Sequence, residues 1–145
     1  MLTLPGIGII TVAGLLGECG DLEAFDSYGR LEKHVGLNLY EVSSGQHRGR
    51  LHIAKRGRAR ARYVVCHASM MLSRKGALYG DYARKQRKAG KKTGEIRVAI
   101  ARRLLRLFYA LARTKVAFDV QRYLTGDSTA DGPVIHQGTS LPEAA

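Results

Sequence analysis

The sequence has few cysteines, no long uninterrupted hydrophobic run and almost no acidic residues in its middle. Cys19 and Cys66 form no CxxC pair and are too few for a disulfide framework, which indicates a reducing compartment. The longest apolar helical stretch, residues 98–112, contains three arginines, which excludes a transmembrane helix. The first sixteen residues lack the basic segment of a signal peptide. The five histidines show no paired zinc spacing, so no metal site is predicted.

Basic residues are concentrated in the middle of the chain. Residues 48–115 carry 21 Lys and Arg and two acids, a net charge of +19, against −4 for residues 1–47 and −3 for residues 116–145; together these give +12. Such a block supplies sequence-independent affinity for a phosphate backbone, whereas a merely solvated surface predicts mixed signs. A ribosome- or lipid-associated basic protein is a weaker alternative. The predicted nucleic-acid contacts are Arg48, Arg50, Lys55, Arg56, Arg58, Arg62, Arg84, Lys85, Lys91 and Lys92.

Periodicity and turn residues predict an all-α domain over residues 1–119 and a polar, disordered tail over residues 120–145. The turn PGIG, residues 5–8, precedes a helix from Ile9 to about Leu16. This is the pattern of a helix-hairpin-helix, in which Gly6 and Gly8 free the backbone for positive φ and its N–H groups meet a DNA phosphate. Only a stub of the first helix, Met1–Leu4, is present in the sequence. An ordinary helix-entry turn explains the tetrapeptide equally well.

The rest of the predicted domain is a small helix, a long irregular loop and three further helices. The small helix is capped by Ser27 and stopped by Gly36. The loop covers residues 37–57 and includes a short hairpin around residues 45–49. In the helix after the loop, Tyr63, Ala68 or His67, and Met71 form the predicted apolar stripe. The predicted helices are Tyr28–Val35, Arg58 to about Ser73, Leu78 to about Lys88, and Glu95 to about Arg113; Tyr79, Tyr82 and Tyr109 are candidates for base stacking or for the core.

Ser44 is the candidate catalytic residue. It precedes Gly45 within the loop, and seven basic residues follow between residues 48 and 62. A serine hydroxyl can attack phosphorus and form a phosphoseryl intermediate, and nearby guanidinium groups neutralise the developing charge. From the residues alone, a simple turn is the favoured interpretation of Ser-Ser-Gly. The base that would activate the serine stays open among Glu41, His47 and His52, which are near only in sequence.

In their order and spacing these motifs resemble the C-terminal transposase domain of the IS110/IS116/IS902 insertion-sequence family. The segments PGIG, GDLEAF, VGLN, SSG, IAKRG, GDYARKQRKAGKK and VAIARRLLRLFYALAR follow one another over residues 2–119. The resemblance implies that Ser44 is the nucleophile, with Ser43 as the alternative. It implies that Arg48, Arg50, Lys55 and Arg56 contact DNA and a guide-like bridge RNA.

The resemblance also implies partners for this chain. Family members carry a RuvC-like domain whose DEDD carboxylates bind Mg²⁺, and they form homo-oligomers in which one protomer's serine meets another's carboxylate domain. This implies a cytoplasmic, nucleoid-associated prokaryotic protein without membrane contact.

Two departures from the family pattern limit these expectations. No RuvC-like segment is present in the sequence, and Asp21, Glu23 and Asp26 are not its carboxylates. We therefore expect no metal site in this chain, magnesium only with a partner domain, and a fragment or a truncated copy. Ala54 stands where the family commonly has a hydroxyl residue. Two functions stay open: a serine domain that cuts and joins DNA together with a RuvC-like domain, and a non-catalytic nucleic-acid-binding module or inactive fragment.

Overall fold

The computed structural model describes residues 1–41 and 51–125, and these are mostly helical, as predicted. Helices α3 and α5 pack against each other, and α1 and α4 each pack against one of them. The elements in chain order are α1 (Ile9–Cys19), a 3₁₀ turn (Leu22–Ala24), α2 (Tyr28–Val35), β1 (Leu39–Glu41), β2 (Leu51–Ile53), α3 (Ala59–Leu72), α4 (Gly80–Lys88), α5 (Thr93–Thr114) and α6 (Val120–Thr125).

Helix α5 is the centre of the core and packs against α2, α3, α4 and the 3₁₀ turn. Its apolar residues repeat at helical spacing, and Ile100, Leu104 and Phe108 among them are fully buried. The helix starts with the side chain of Glu95 accepting the N–H of Lys92 at 3.2 Å, which satisfies one of the donors that every helix start leaves unpaired. A single long amphipathic helix therefore supplies the surface on which the other elements assemble.

Helices α1 and α3 run antiparallel in close contact. A Cβ added at Gly14 would lie 3.2 Å from the Val64 side chain, so the glycine lets the two helices approach. The core face of α3 is formed by Ala61, Val65, Ala68, Ser69 and Leu72.

The stripe predicted for α3 is therefore wrong in part. Tyr63 is 70% exposed and lies outside the core, with its ring stacked on that of His67 at 5.9 Å. Small side chains face the neighbouring helices instead, because the α1–α3–α5 packing leaves little room between their backbones.

Helix α2 has the predicted limits. The Ser27 hydroxyl accepts the N–H of Arg30 at 3.4 Å, and Gly36 ends the helix with a φ of +77°. Leu31 and Val35 are fully buried. Local capping signals were sufficient here because each acts within one helical turn.

The loop predicted over residues 37–57 contains a two-stranded antiparallel hairpin. Strands β1 and β2 pair Leu39 with Ile53, Tyr40 with His52, and Glu41 with Leu51. Since side chains alternate along a strand, Tyr40 and His52 lie on the same face, with ring centroids 6.1 Å apart.

The N-terminal segment differs from the expectation in two respects. Residues 1–4 form turns rather than the stub of a helix, with the Leu4 N–H donating to the Met1 carbonyl at 3.1 Å. Pro5 disfavours helical backbone at the preceding residue, which explains the difference. Gly6 has the predicted positive φ, +80°, but Gly8 is extended, with a φ of −93°, and serves as the N-cap of α1.

The segment predicted to begin the tail starts with helix α6. The Tyr123 hydroxyl lies 3.0 Å from the Tyr79 hydroxyl, and the two rings meet edge to face. Residues 126–145 lie outside the described residues. Within residues 1–41 and 51–125, none of the helices has the length and apolar character needed to cross a membrane.

Candidate nucleic-acid interface

Three of the predicted site residues, Ser44, Arg48 and Arg50, lie in residues 42–50, outside the described residues. Their place in the chain is nevertheless defined at both ends, because this segment follows Glu41 and precedes Leu51, which pair in the hairpin ladder. The two strands of the hairpin therefore determine where the serine-bearing segment leaves and rejoins the domain.

The root of the hairpin is anchored to the C-terminal end of α2 by backbone hydrogen bonds. The Lys55 N–H donates to the Gly36 carbonyl at 3.2 Å, and the Arg58 N–H donates to the His34 carbonyl at 2.8 Å. Gly57 has a φ of +131°, and a Cβ there would lie 2.3 Å from the His34 carbonyl oxygen. Only glycine fits this contact, so the motif Lys55-Arg56-Gly57 joins β2 to α2.

Lys55 has a left-handed backbone, with a φ of +54°, which is uncommon for a residue other than glycine. The Arg62 guanidinium holds this conformation from α3, because one of its nitrogens donates to the Lys55 carbonyl at 3.1 Å and to the Val35 carbonyl at 3.2 Å. Arg62 thus ties α2, the hairpin exit and α3 together. Its predicted contact with nucleic acid stays a prediction, and the other guanidinium donors would have to make it.

The remaining predicted cations in the described residues are exposed and fall into two groups. Three lie at the hairpin exit before and at the start of α3, and four lie on α4 and in the turn before α5. Arg84 also pairs with Asp81 at 2.9 Å, but both side chains are largely exposed and such a pair contributes little to stability. The groups are Lys55, Arg56 and Arg58, and Arg84, Lys85, Lys91 and Lys92.

A cleft of about 480 Å³ opens beside the hairpin root. The hairpin lines the cleft with the face that carries its even-numbered residues. The Ala54 N–H donates to the Asn38 carbonyl at 2.9 Å, which continues the register of the Tyr40–His52 pair and places Asn38 and Ala54 on the same face. Exposed side chains of α2 and of the hairpin exit add two positive charges. The described lining residues are Lys33, Asn38, Tyr40, Ala54 and Arg56.

The sequence pointed to other tyrosines as base-stacking candidates. Tyr79 and Tyr109 are 3% and 7% exposed and belong to the core. The Arg103 guanidinium covers Tyr82, with its central carbon 4.0 Å from the centre of the tyrosine ring. The exposed aromatic residue at the cleft is Tyr40, at 46%. Its signal in the sequence is the alternation Asn38-Leu39-Tyr40, which is too short to separate a strand from a loop.

Beneath this surface, a buried polar cluster joins α2 to α5. The Arg102 guanidinium pairs with the Glu32 carboxylate, and the Tyr28 hydroxyl lies 3.0 Å from that carboxylate and from the Arg102 carbonyl oxygen. Burial by itself would lower the pKa of Arg102, but the hydrogen bond and charge of Glu32 outweigh it and raise that pKa. Burial, reinforced by Glu32, raises the pKa of Tyr28. Arg102, on α5, is therefore used to hold α2, which carries the hairpin.

The acidic residues in the described part of the chain do not suit a magnesium ion. No group of three or more His, Cys, Asp or Glu residues is placed there to hold a metal. Mg²⁺ prefers several clustered oxygen ligands, whereas five of these carboxylates each pair with one basic residue. The pairs are Glu18 with Arg60, Glu23 with Lys115, Asp26 with Arg30, Glu32 with Arg102, and Asp81 with Arg84.

Two comparisons with known proteins found sequences similar to this chain. Residues 1–84 match the sequence model described as "Transposase IS116/IS110/IS902 family", a range from the N-terminal turn through α3 into α4. A curated relative, "Insertion element IS116 uncharacterized 44.8 kDa protein" of Streptomyces clavuligerus, is 28% identical over 116 residues. The alignment covers 80% of this chain but 29% of the relative, so the chain spans less than a third of that protein's length.

Proposed function

The chain belongs to the IS116/IS110/IS902 family of transposases, and from this premise we propose that it is the serine-bearing, nucleic-acid-binding domain of a DNA recombinase. The observation that carries the proposal is the anchored hairpin root. It joins α2 and α3 to the two strands that lead to the segment containing Ser44, and exposed cations lie on its exit side. A rigid root with adjacent positive charge suits a nucleophile that must meet a phosphodiester held in place.

In the proposed reaction the Ser44 hydroxyl oxygen attacks a backbone phosphorus. A serine–phosphorus bond forms, one phosphorus–oxygen bond of the strand breaks, and the released strand end leaves as a hydroxyl. A hydroxyl end of another strand then attacks the phosphoserine, which restores a phosphodiester and the free serine. One bond is exchanged for another at each step, so no external energy source is required.

Cations from this chain would assist by holding the strand. Arg48 and Arg50 lie in the segment itself, and Lys55, Arg56 and Arg58 follow at the hairpin exit. Their charges neutralise phosphate oxygens as negative charge develops. The described carboxylates do not form a magnesium site, so we assign Mg²⁺ and its carboxylates to a separate RuvC-like domain and route no step through them.

The start of α1 is the second proposed phosphate contact, as in a helix-hairpin-helix. Gly6 makes the turn with its positive φ, and Gly8 caps the helix without a side chain over the first N–H groups. An open helix N-terminus attracts an anion through these donors.

We further propose that the basic group on α4 contacts a bridge RNA and that the full assembly is a homo-oligomer in the prokaryotic cytoplasm, on the nucleoid. Arg84, Lys85, Lys91 and Lys92 are exposed, and Arg87 and Lys88 add charge at the helix end. A block of this density suits a polyanion.

Covalent trapping tests the catalytic proposal. The chain is mixed with a RuvC-like domain of the same family and a DNA substrate nicked so that the cleaved strand cannot religate. We expect a protein–DNA adduct on denaturing gels that is lost in Ser44→Ala and retained in Ser43→Ala. An adduct of unchanged yield in Ser44→Ala refutes Ser44 as the nucleophile.

The alternative function is a binding module without chemistry, in which the exposed cations of the two basic groups hold the nucleic acid. It predicts DNA binding that is indifferent to Ser44 and forms no adduct. Binding itself is tested with the triple variant Lys55→Ala/Arg56→Ala/Arg58→Ala. Each lost phosphate contact reduces the magnitude of the slope of log K against log salt concentration by about 0.9. We therefore expect the slope of the triple variant to be smaller by about 2 to 3. Arg74→Ala, which removes an exposed arginine outside both groups, should give no resolvable change in slope.

A further inference from the structure

We propose that the cleft beside the hairpin root binds the base of one unpaired nucleotide in a DNA strand. The inference rests on the proposed function, because it takes DNA as the polymer that lies across this surface. It adds a recognition site to the catalytic one. The residues assigned to it are Tyr40, Asn38, Lys33 and Arg56.

The cleft has the size and the flat wall that a base requires. Its volume of about 480 Å³ lies within the range of small-ligand sites. The Tyr40 ring is about half exposed and is held beside His52 on the same face of the hairpin. Every nucleobase has a planar face that stacks on such a ring. Ala54, also on this face, adds only a methyl group and leaves the space open.

The polar groups are distributed as a nucleotide would need them. The Asn38 side chain lines the same wall and carries both amide donors and a carbonyl acceptor, which can pair with the edge of an unpaired base. Lys33 and Arg56 are exposed and line the cleft from α2 and from the hairpin exit. Their charges suit the phosphates on either side of a captured nucleotide.

The walls of the cleft are rigid before any ligand arrives. Ala54 and Arg56 flank Lys55, whose left-handed backbone is held by the Arg62 guanidinium and by the Gly36 carbonyl. Preorganised walls reduce the entropy lost on binding. Uncommon backbone conformations of this kind cluster at functional sites, and here one lies between two residues that line the cleft.

The location of the cleft connects it with the proposed chemistry. Tyr40 and His52 stand on the two strands that lead into and out of the serine-bearing segment. Withdrawing one base from the stack changes the path of the strand's backbone at the adjoining phosphodiester. A base held in the cleft would therefore keep a distorted strand at the root of the segment that carries Ser44.

The test compares three forms of one short DNA duplex: fully paired, with a single unpaired 2-aminopurine, and with an abasic nucleotide at the same bulge. Affinities are measured by fluorescence anisotropy, and stacking by quenching of 2-aminopurine. We expect the bulged base to be preferred over both other forms by about fivefold or more, from the free energy of one base–aromatic stack. Tyr40→Ala should lose the preference and the quenching, and Tyr40→Phe should keep both.

Matched variants separate the cleft from general effects. Tyr63→Ala removes another exposed tyrosine that is paired with a histidine, but one on α3 rather than on the cleft. We expect it to keep the preference. Lys33→Ala removes a cation of the cleft that belongs to neither group of predicted DNA contacts, and it should weaken binding of the bulged duplex more than Arg74→Ala does. Circular dichroism verifies that each variant is folded.

Each remaining result has one meaning. Equal binding of all three duplexes overturns the inference while the proposed function stands, whereas no salt-dependent binding of any duplex contradicts the proposed function itself. Equal preference for the abasic bulge shows recognition of a bent backbone and overturns the inference. The same bulge in an RNA duplex is measured in parallel, and a preference confined to it overturns the inference. A folded Tyr40→Ala variant that keeps the preference overturns it as well.

Discussion

Replacing Gly57 by alanine should destabilise the domain at the root of the hairpin. The added Cβ would lie 2.3 Å from the His34 carbonyl oxygen and 2.9 Å from the Lys33 carbonyl oxygen, distances that real Cβ atoms do not adopt. The backbone would also have to keep a φ of +131°, which side-chain-bearing residues rarely do. The chain must therefore move away from α2, and the Arg58 N–H loses its 2.8 Å bond to the His34 carbonyl.

The size of the effect follows from these two losses. An unfavourable backbone conformation costs about 1–3 kcal/mol, and a lost backbone hydrogen bond costs about 1 kcal/mol. We expect the free energy of unfolding to fall by about 2–4 kcal/mol, a large part of a typical domain's stability. For a domain of this size the melting temperature should fall by about 5–15 °C.

The matched control is the same substitution at Gly17, which lies exposed inside α1 with no atom within 4 Å of an added Cβ. There alanine improves helix propensity and should stabilise the chain by about 0.5–1 kcal/mol. Thermal melting by circular dichroism compares the two variants with the parent chain. A Gly57→Ala variant that melts with the parent, or a Gly17→Ala variant that loses as much stability, would refute the proposed packing of the hairpin root.

Three further predictions concern buried groups. Arg102→Met leaves the Glu32 carboxylate without its cation and should lower the free energy of unfolding, measured in urea, by about 2–3 kcal/mol, a value already reduced for the partial exposure of the pair. Adding Glu32→Gln should recover part of this loss. Strictly additive losses in the double variant would contradict the pairing. Burial, with a contribution from Glu18, raises the pKa of the Cys19 thiol from 9.0 to about 11. Alkylation of Cys19 at pH 8 should therefore be about a hundredfold slower in the folded chain than in the chain unfolded in urea. Equal rates would contradict the raised pKa. Because the pKa of Cys19 is higher in the folded than in the unfolded chain, the contribution of the protonated thiol to the free energy of unfolding is complete below about pH 9 and is lost as the pH rises through about 11. Arg62→Met removes the donor to two backbone carbonyls and should lower stability by about 1–3 kcal/mol; an unchanged urea midpoint would show that the clamp is dispensable.

Much of the helical fold could be predicted because its signals are local. Ser27 and Gly36 act within one turn of α2, and the stripe through Ile100 and Leu104 repeats within one helix. The family could also be predicted, because the order of the motifs survives as a linear pattern and the family match confirms it. The role of Ser44 stays a prediction.

The use of individual side chains could not be predicted in this way. Tyr63 and Tyr79 have similar chemistry, yet one is 70% exposed on α3 and the other is 3% exposed in the core. Arg62 and Arg102 fit a solvated basic surface by composition, but one holds backbone carbonyls and the other pairs with a buried carboxylate. A charge count does not distinguish these uses, because partners lie far away along the chain.

The sequence by itself therefore determined helices α1–α5, the basic block and the family, since each depends on near neighbours or on linear order. Helix α6 lies in the predicted tail, and its contact with Tyr79 is a tertiary one. Only the tertiary structure decided that Tyr40 faces His52, that Gly57 packs on α2, and that a cleft lined by Tyr40 opens beside the hairpin. These features depend on strand register and on contacts between separate elements. A register is set by which side chains fit against the completed core, and that choice exists only once the chain has folded.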